Sequence, residues 1–407
     1  MLEQLKKTKE ASKELKKLTS EDRNSILYKI ANNFEKSLPD ILNANQEDLK
    51  NAKNLSPALM DRLRLDEKRV SSFIAGIREL IALHDPIRVI KKDVRPNGLE
   101  IVKQSVPFGV VGMIYEARPN VTSDAIGMCL KTGNAVVLKG GSEALNTNKI
   151  LVNLAKEALR DFGVSLECVS LVESREDIQE MLKLRDLIDV IIPRGGEGLI
   201  KFVVENSKIP VLETGSGNCH IFVDKSADFK MALEIIINAK ISRVSVCNAV
   251  EKVLVHQDVA KDFVPLLLAK LRENQVEIIG CNKVRQIDFD VIEASEEDFF
   301  EEYLDYKICI KIVKDLTEAI NHINTYSSHH SESIITNNLQ DKEEFFKEID
   351  SAVVYHNAST RFSDGVEFGF GAEIGISTQK FHARGPMGLE ALCSYKYLVS
   401  GNGQIRE

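Results

Sequence analysis

Two doubly wound α/β domains with parallel sheets, plus a projecting β-hairpin arm, are predicted from three observations. From residue 135 onward, short apolar runs rich in β-branched residues alternate with amphipathic stretches, which implies parallel strands joined by crossover helices. The alternation pauses at Gly215-Ser216-Gly217 and then resumes, the natural joint between two such domains. The chain has 407 residues, more than the roughly 250–300 at which a single core stops growing.

The elements follow in chain order. Residues 1 to about 85 form a helical layer, in which Ile26, Leu27, Ile30, Ala31 and Phe34 recur at helical spacing behind a capping box of Thr19 and Asp22. The runs 87–94 and 99–106 read as a hairpin turned by Arg95-Pro96-Asn97-Gly98, whose Asn-Gly step favours a tight turn. In the first α/β domain, strands are expected at 135–139, 169–172, 188–193 and 209–213. Helices between them start near Asn146, end near Arg185 and start at Glu197. In the second, strands are expected at 220–224, 251–256, 276–281, 306–313, 332–337 and 351–358. The helices there start at Ala227 and Asp258 and cover about 318–327 and 341–349.

Composition narrows the function. With 53 Lys and Arg against 61 Asp and Glu spread along the chain, the net charge of −8 suits neither nucleic acid nor an anionic membrane, and points to a small-molecule substrate. The opening residues are charged throughout, and no stretch approaches the ~20 apolar residues that span a bilayer, so a cytoplasmic location is expected. Seven cysteines without a C-x-x-C pair or a Cys/His cluster argue against a disulfide framework and against a metal site.

Candidate chemistry sits in loops. Lys139-Gly140-Gly141-Ser142 and Arg194-Gly195-Gly196-Glu197-Gly198 each follow a strand, where glycines let backbone N–H groups approach a phosphate at a helix start. The same glycines also suit plain turns, and G-x-G-x-x-G is absent, which disfavours an ordinary dinucleotide fold. Cys129, Cys281 and Cys309 lie in apolar periodic segments and read as small core residues. Cys247 lies in a segment that fits neither burial pattern, with Lys240 and Arg243 nearby to favour its thiolate. In the polar stretch 115–124, Arg118 can pair with a carboxylate or phosphate. Asn120 can donate to an oxyanion, or simply cap a helix after Pro119 ends a strand.

Six segments taken together and in order carry a resemblance: VPFGVVGMIYEARPNVTSDA (106–125), VLKGGSEA (137–144), IPRGGEGLI (192–200), PVLETGSGNCH (210–220), VCNAVEKVLVH (246–256) and EFGFGAEIGISTQKFHARGPMGLEAL (367–392). They resemble the γ-glutamyl phosphate reductase branch of the aldehyde dehydrogenase superfamily over nearly the whole chain. The resemblance implies an aldehyde dehydrogenase-like fold. Its cofactor domain would comprise 1–88 and 107–214, its catalytic domain 215–384, and its oligomerisation arm 89–106 and 396–407. It further implies a homo-oligomer, NADPH as cofactor, an association with glutamate kinase, and reduction of L-glutamyl 5-phosphate to L-glutamate 5-semialdehyde through a thioacyl enzyme. By motif match, Cys247 takes the nucleophile position, while Asn120 and the Cys247 N–H take the oxyanion positions. Lys139 matches the lysine at the adenosine ribose, and the neutral Ser142 leaves room for a 2′-phosphate. Arg194, Gly195, Gly196 and Gly198 match the second cofactor loop, Glu302 the glutamate at the nicotinamide ribose; Arg118 and Arg243 are candidates for the substrate's anionic groups on charge grounds.

Departures and alternatives accompany this reading. Ile241-Ser-Arg-Val-Ser-Val246 replaces a common Thr-Gln-Arg-Pro-Gly-Val, and Ser327 and His329 stand where the family tends to have Gly. Glu213 occupies the position of the deacylating glutamate in oxidising relatives, so an aldehyde-oxidising dehydrogenase is the first alternative. The others are a non-catalytic nucleotide-binding relative and a cysteine hydrolase or acyltransferase, which would have no use for the two Gly-rich loops.

Overall fold

The computed structural model describes residues 1–52, 55, 57–174 and 177–406, and the chain forms two compact units. The first comprises 1–214, 369–375 and 387–407, the second 215–368 and 376–386. The Gly-Ser-Gly joint therefore falls at the boundary. Residues 369–375, expected within the second domain, instead belong to the first. The Ile374 amide donates to Met387 O and the Met387 amide to Gly375 O, and Gly371 packs on Leu83.

The first unit opens with α1 (Leu2–Leu15), α2 (Ser20–Lys36), α3 (Leu38–Asn51), α4 (Pro57–Leu63) and α5 (Glu67–Ala82). Thr19 and Asp22 form the expected capping box on α2. The layer seals onto the sheet, with Leu5, Ala11 and Leu15 buried on α1 and Thr8 Oγ1 bonded to Ser170 Oγ at 2.7 Å. Next come β1 (Val89–Val94), β2 (Glu100–Pro107), β3 (Val110–Tyr115), α6 (Pro119–Lys131), β4 (Ala135–Lys139), α7 (Leu145–Asp161), β5 (Val169–Leu171), α8 (Asp177–Met181), β6 (Val190–Arg194) and α9 (Glu197–Asn206). The parallel order is β5-β4-β3-β6, with β3 a central, wholly buried strand.

One expected strand is missing. At 209–213 there is only an isolated bridge between Ile191 and Val211. Pro210 has no N–H to give a ladder, and beyond Leu212 the Thr214 hydroxyl turns back to Pro193 O.

The second unit contains β7 (Cys219–Val223), α10 (Phe229–Ile241), β8 (Val250–His256), α11 (Gln257–Glu273), β9 (Glu277–Gly280), α12 (Asn282–Arg285), β10 (Ile292–Glu293), α13 (Glu297–Phe300), β11 (Lys307–Val313), α14 (Leu316–Tyr326), β12 (Ser331–Ile335), α15 (Leu339–Glu348) and β13 (Val353–His356). Its seven strands are all parallel, in the order β10-β9-β11-β8-β7-β12-β13. Ile236, Val253, Phe263 and Leu267 pack one face of the sheet, and Phe222, Leu254, Ile320, Ile334 and Phe345 pack the other, so the sheet is covered on both sides. Two short strands, β14 (Ile376–Ser377) and β15 (Gly385–Pro386), pair with each other.

The arm belongs to the first unit. β1 and β2 form the hairpin, turned with Gly98 at φ +85°, and β16 (Cys393–Ser400) adds an antiparallel strand to β2, starting three residues before the predicted 396. Residue 407 of the predicted arm lies outside the described residues. Val89, Ile90, Val94, Tyr397, Leu398 and Val399 are exposed on the two edge strands. No helix among the described residues is long and apolar enough to cross a membrane.

Candidate active site

In the first unit, the chain leaves β3 at Tyr115 and enters α6 through Arg118, which is the N-cap residue; its amide donates to Glu116 O at 2.6 Å. Pro119 starts the helix, where its missing N–H costs nothing. Asn120 is therefore the second helical residue and not the cap, which corrects the capping alternative. It is exposed, and its Nδ2 donates to Asp124 Oδ2 at 3.3 Å. Burial pushes the Asp124 carboxyl up to about 6, against the pull of the Asn120 hydrogen bond and of Arg194. Asp124 thus holds the amide more strongly while ionised than when protonated. If Asn120 acts in catalysis, kcat/KM should fall as pH drops through about 6. In Asp124→Asn, pH–rate profiles should lack that limb and show about fivefold lower activity on the plateau.

The two Gly-rich loops are shaped by close approach. A Cβ on Gly140 would stand 2.4 Å from Asn148 Nδ2 and 3.0 Å from the Tyr115 ring. Tyr115 Oη lies 2.6 Å from Thr122 Oγ1, which donates to Asn148 Oδ1 at 2.7 Å, so the floor beneath the loop is rigid. Lys139 is buried with Nζ on Gly140 O at 2.8 Å, and Ser142 is exposed at the start of a 3₁₀ turn leading into α7. In the second loop, a Cβ on Gly195 would stand 2.7 Å from the Glu116 carboxyl. The Gly196 N–H donates to Glu116 Oε2 at 2.8 Å. Glu116, which the sequence reading did not single out, thus places an anionic oxygen at the start of α9, and Gly198 has open space around it. Arg194 ends β6 beside Gly375, and its charge also reaches Asp124.

In the second unit, Cys247 is half-buried on the turn between α10 and β8. Its backbone is clamped. The Cys219 thiol donates to Cys247 O at 3.2 Å, and Gly217 runs so close that a Cβ there would stand 1.5 Å from the same oxygen. Asn248 Nδ2 donates to Arg361 O at 3.3 Å and Ser363 O at 2.9 Å, while Thr360 Oγ1 donates to Asn248 O at 2.7 Å. Glu302 Oε1 accepts from the Gly217 amide at 2.6 Å. Arg243 is exposed beside Ser242, whose hydroxyl accepts from Arg361 Nε at 3.0 Å.

Lys240 does not serve the nucleophile. It is fully buried in an ion pair with Glu251 at 2.8 Å, so its charge is spent inside the core. The nearby cation missed by the sequence reading is Arg361, whose electrostatic neighbours include Arg243 and Cys247. Its distance along the chain left no local signal. Among the other thiols, burial pushes Cys309 and Cys168 up to about 12 and Cys393 up to about 11, and raises Cys129 and Cys219 further still. Cys129 and Cys309 are core residues as expected, while Cys281 is half-buried with its sulfur accepting from the Ile312 amide. The seven cysteines all lie among the described residues, and no two form a disulfide.

The departures at 327–329 also find a place. Ser327 Oγ donates to Glu332 Oε1 at 2.5 Å and accepts from the His329 amide at 2.7 Å. His329 adopts φ +59°, a left-handed conformation that explains a glycine preference at this position.

Residues 2–305 match the aldehyde dehydrogenase family. A γ-glutamyl phosphate reductase of Clostridium botulinum is 54% identical over 405 residues, covering 98% of each chain. One from Caldanaerobacter subterraneus is 53% identical over 407 residues, covering 99% of this chain and 98% of the relative. The crystal structure of the Thermotoga maritima γ-glutamyl phosphate reductase superposes with a TM-score of 0.98 at 49% identity, covering 100% of this chain and 99% of the other. An acetylating aldehyde dehydrogenase from Geobacillus thermoglucosidasius, 16% identical, shares the fold with a TM-score of 0.71.

Proposed function

This chain belongs to the aldehyde dehydrogenase family, and from that premise we propose that it reduces L-glutamyl 5-phosphate to L-glutamate 5-semialdehyde with release of phosphate, the reductive step of proline biosynthesis. The observation that carries the reading is the clamped Cys247, half-buried on its turn while five other thiols are held protonated by burial.

The family uses a nicotinamide cofactor, and the loops of the first unit suit one. A Cβ on Gly140 or Gly195 would crowd Asn148 or Glu116, and the start of α9 already attracts the Glu116 carboxylate as a phosphate would be attracted. Lys139, Ser142, Arg194, Gly195, Gly196 and Gly198 would hold it, with Glu302 toward the nicotinamide ribose; the neutral, exposed Ser142 favours NADP over NAD. When bound, the reduced nicotinamide supplies the hydride that converts the thioester to the aldehyde level.

The remaining steps use the chain's own groups. The Cys247 thiolate attacks the acyl carbon, its own N–H and the Asn120 amide stabilise the tetrahedral oxyanion, and phosphate departs with the electrons of the broken C–O bond. The second electron pair returns to sulfur as the semialdehyde forms. No deacylating water is needed in this direction, so Glu213, half-buried ahead of the joint, has no obligatory part.

We further propose that the apolar edges of the arm sheet pair between subunits, giving a homo-oligomer. A cytoplasmic location, where thiols stay reduced, and an association with glutamate kinase that passes on a labile acyl phosphate complete the reading. The decisive assay runs in reverse, with NADP, glutamate semialdehyde and inorganic phosphate. NADPH should form continuously only when phosphate is present. Turnover without phosphate would instead mean a hydrolytic, aldehyde-oxidising enzyme.

A further inference from the structure

We propose that Arg361, together with Arg243, forms the binding site for the phosphoryl group that leaves the carbon attacked by Cys247. The proposal rests on the acyl phosphate reading above and assigns the part of the substrate that this corner of the site recognises.

Its first support is the way Arg361 is mounted. It projects from the 3₁₀ turn Thr360–Phe362, and that turn is bonded to the residue following the nucleophile from both sides. Thr360 Oγ1 donates to Asn248 O at 2.7 Å, and Asn248 Nδ2 donates to Arg361 O at 3.3 Å and to Ser363 O at 2.9 Å. The backbone carrying the guanidinium and the backbone carrying the thiol therefore move as one piece. The guanidinium is oriented in turn, since Nε–H donates to Ser242 Oγ at 3.0 Å, the hydroxyl next to Arg243. A planar fork held this way is prepared for an anion with several oxygens.

The charge balance points the same way. Burial, and then the neighbouring Arg243, pull the Arg361 pKa down, while Asp364, Cys247 and Cys219 pull it up. Two guanidinium groups thus stand in the neighbourhood of one carboxylate and two thiols. With the thiols protonated, positive charge exceeds negative at this corner of the site, a balance that favours binding of an anion.

Connectivity of the substrate selects the phosphoryl group over the α-carboxylate. In an acyl phosphate, phosphorus is separated from the attacked carbon by a single oxygen, whereas the α-carboxylate lies at the far end of the carbon chain. Groups anchored on the nucleophile's own turn are placed for the near anion. As the S–C bond forms and the C–O bond breaks, the electron pair of the latter moves onto the phosphate oxygen, and the two guanidinium groups offset the charge growing there. In the reverse direction the same site holds inorganic phosphate for attack on the thioester.

The test uses the full-length enzyme and compares wild type with Arg361→Lys and Arg361→Gln. In the reverse assay, Arg361→Gln should raise the KM for inorganic phosphate roughly 10- to 100-fold while leaving the KM for semialdehyde within about twofold, and Arg361→Lys should recover part of the loss. A single-turnover burst of NADPH without phosphate, which reports thioacylation of Cys247, should keep its amplitude in both variants. An unchanged KM for phosphate would overturn the proposal alone. So would an equal rise in the KM for semialdehyde, which would assign Arg361 to the α-carboxylate, or loss of the burst in both variants, which would make it a scaffold for the cysteine turn. A wild-type enzyme indifferent to phosphate would overturn the functional reading, and this proposal with it.

Discussion

Cys247→Ala should lower phosphate-dependent NADP reduction by at least about 10⁴-fold while the protein stays folded, with an unfolding free energy within about 1 kcal/mol of wild type. The first expectation follows from covalent catalysis, because without sulfur there is no thioester to accept a hydride. The second follows from position: the thiol is half-buried on a turn held by backbone and neighbouring side chains, in contrast to Cys129 or Cys309 within the core. Both stopped-flow NADPH formation and a denaturant titration are needed. Lost activity with an unchanged midpoint supports the nucleophile; retained activity would remove Cys247 from the mechanism altogether. Alkylation by iodoacetamide should follow the same ranking, with Cys247 modified before the five thiols that burial holds protonated.

The second large effect is expected at a residue with no functional group. In Gly217→Ala the added carbon would stand 1.5 Å from the oxygen of Cys247, 2.2 Å from its carbonyl carbon and 2.5 Å from its Cα. These are backbone atoms, so no rotamer change relieves the overlap. The Gly217 amide is also held by Glu302 at 2.6 Å, which resists retreat from the other side. The segment must shift by an ångström or more. That should cost about 3 kcal/mol of stability and displace the nucleophile enough to lower kcat about 100-fold. Gly76→Ala, in α5 with nothing within 4 Å of the new carbon, is the matched control and should be neutral or stabilising by about 1 kcal/mol. Thermal melts and steady-state rates on both variants decide the point. A Gly217→Ala enzyme as active and stable as the control would mean that the cysteine turn is not clamped by the joint segment.

These two positions show how differently parts of the site announce themselves in the sequence. Cys247 was visible because its segment fits no burial pattern, and Gly217 was visible only as part of a joint. Its steric role depends on Cys247 O lying against it, a contact that spacing along the chain cannot express. Lys240 illustrates the opposite error. Proximity in sequence suggested help for the thiol, yet its helix turns the side chain inward to Glu251 on β8. The cation that does belong with the cysteine turn, Arg361, is linked to it through Asn248 across 113 residues. For Asn120 the sequence allows both a cap and a donor, and the fold gives the cap position to Arg118.

By itself the sequence determined the alternation of strands and helices, the helical opening layer, the hairpin with its Asn-Gly turn and the location of the joint. Hydrophobic period, capping and turn chemistry act over a few residues, so they are written locally. Only the tertiary structure decided that the run at 209–213 makes a single bridge, that 369–375 belongs to the first unit, that Glu116 meets the start of α9, and which positive charges stand near the thiol. Those outcomes depend on ladder partners, close packing and through-space electrostatics between residues far apart in the chain, and no local pattern encodes such distances.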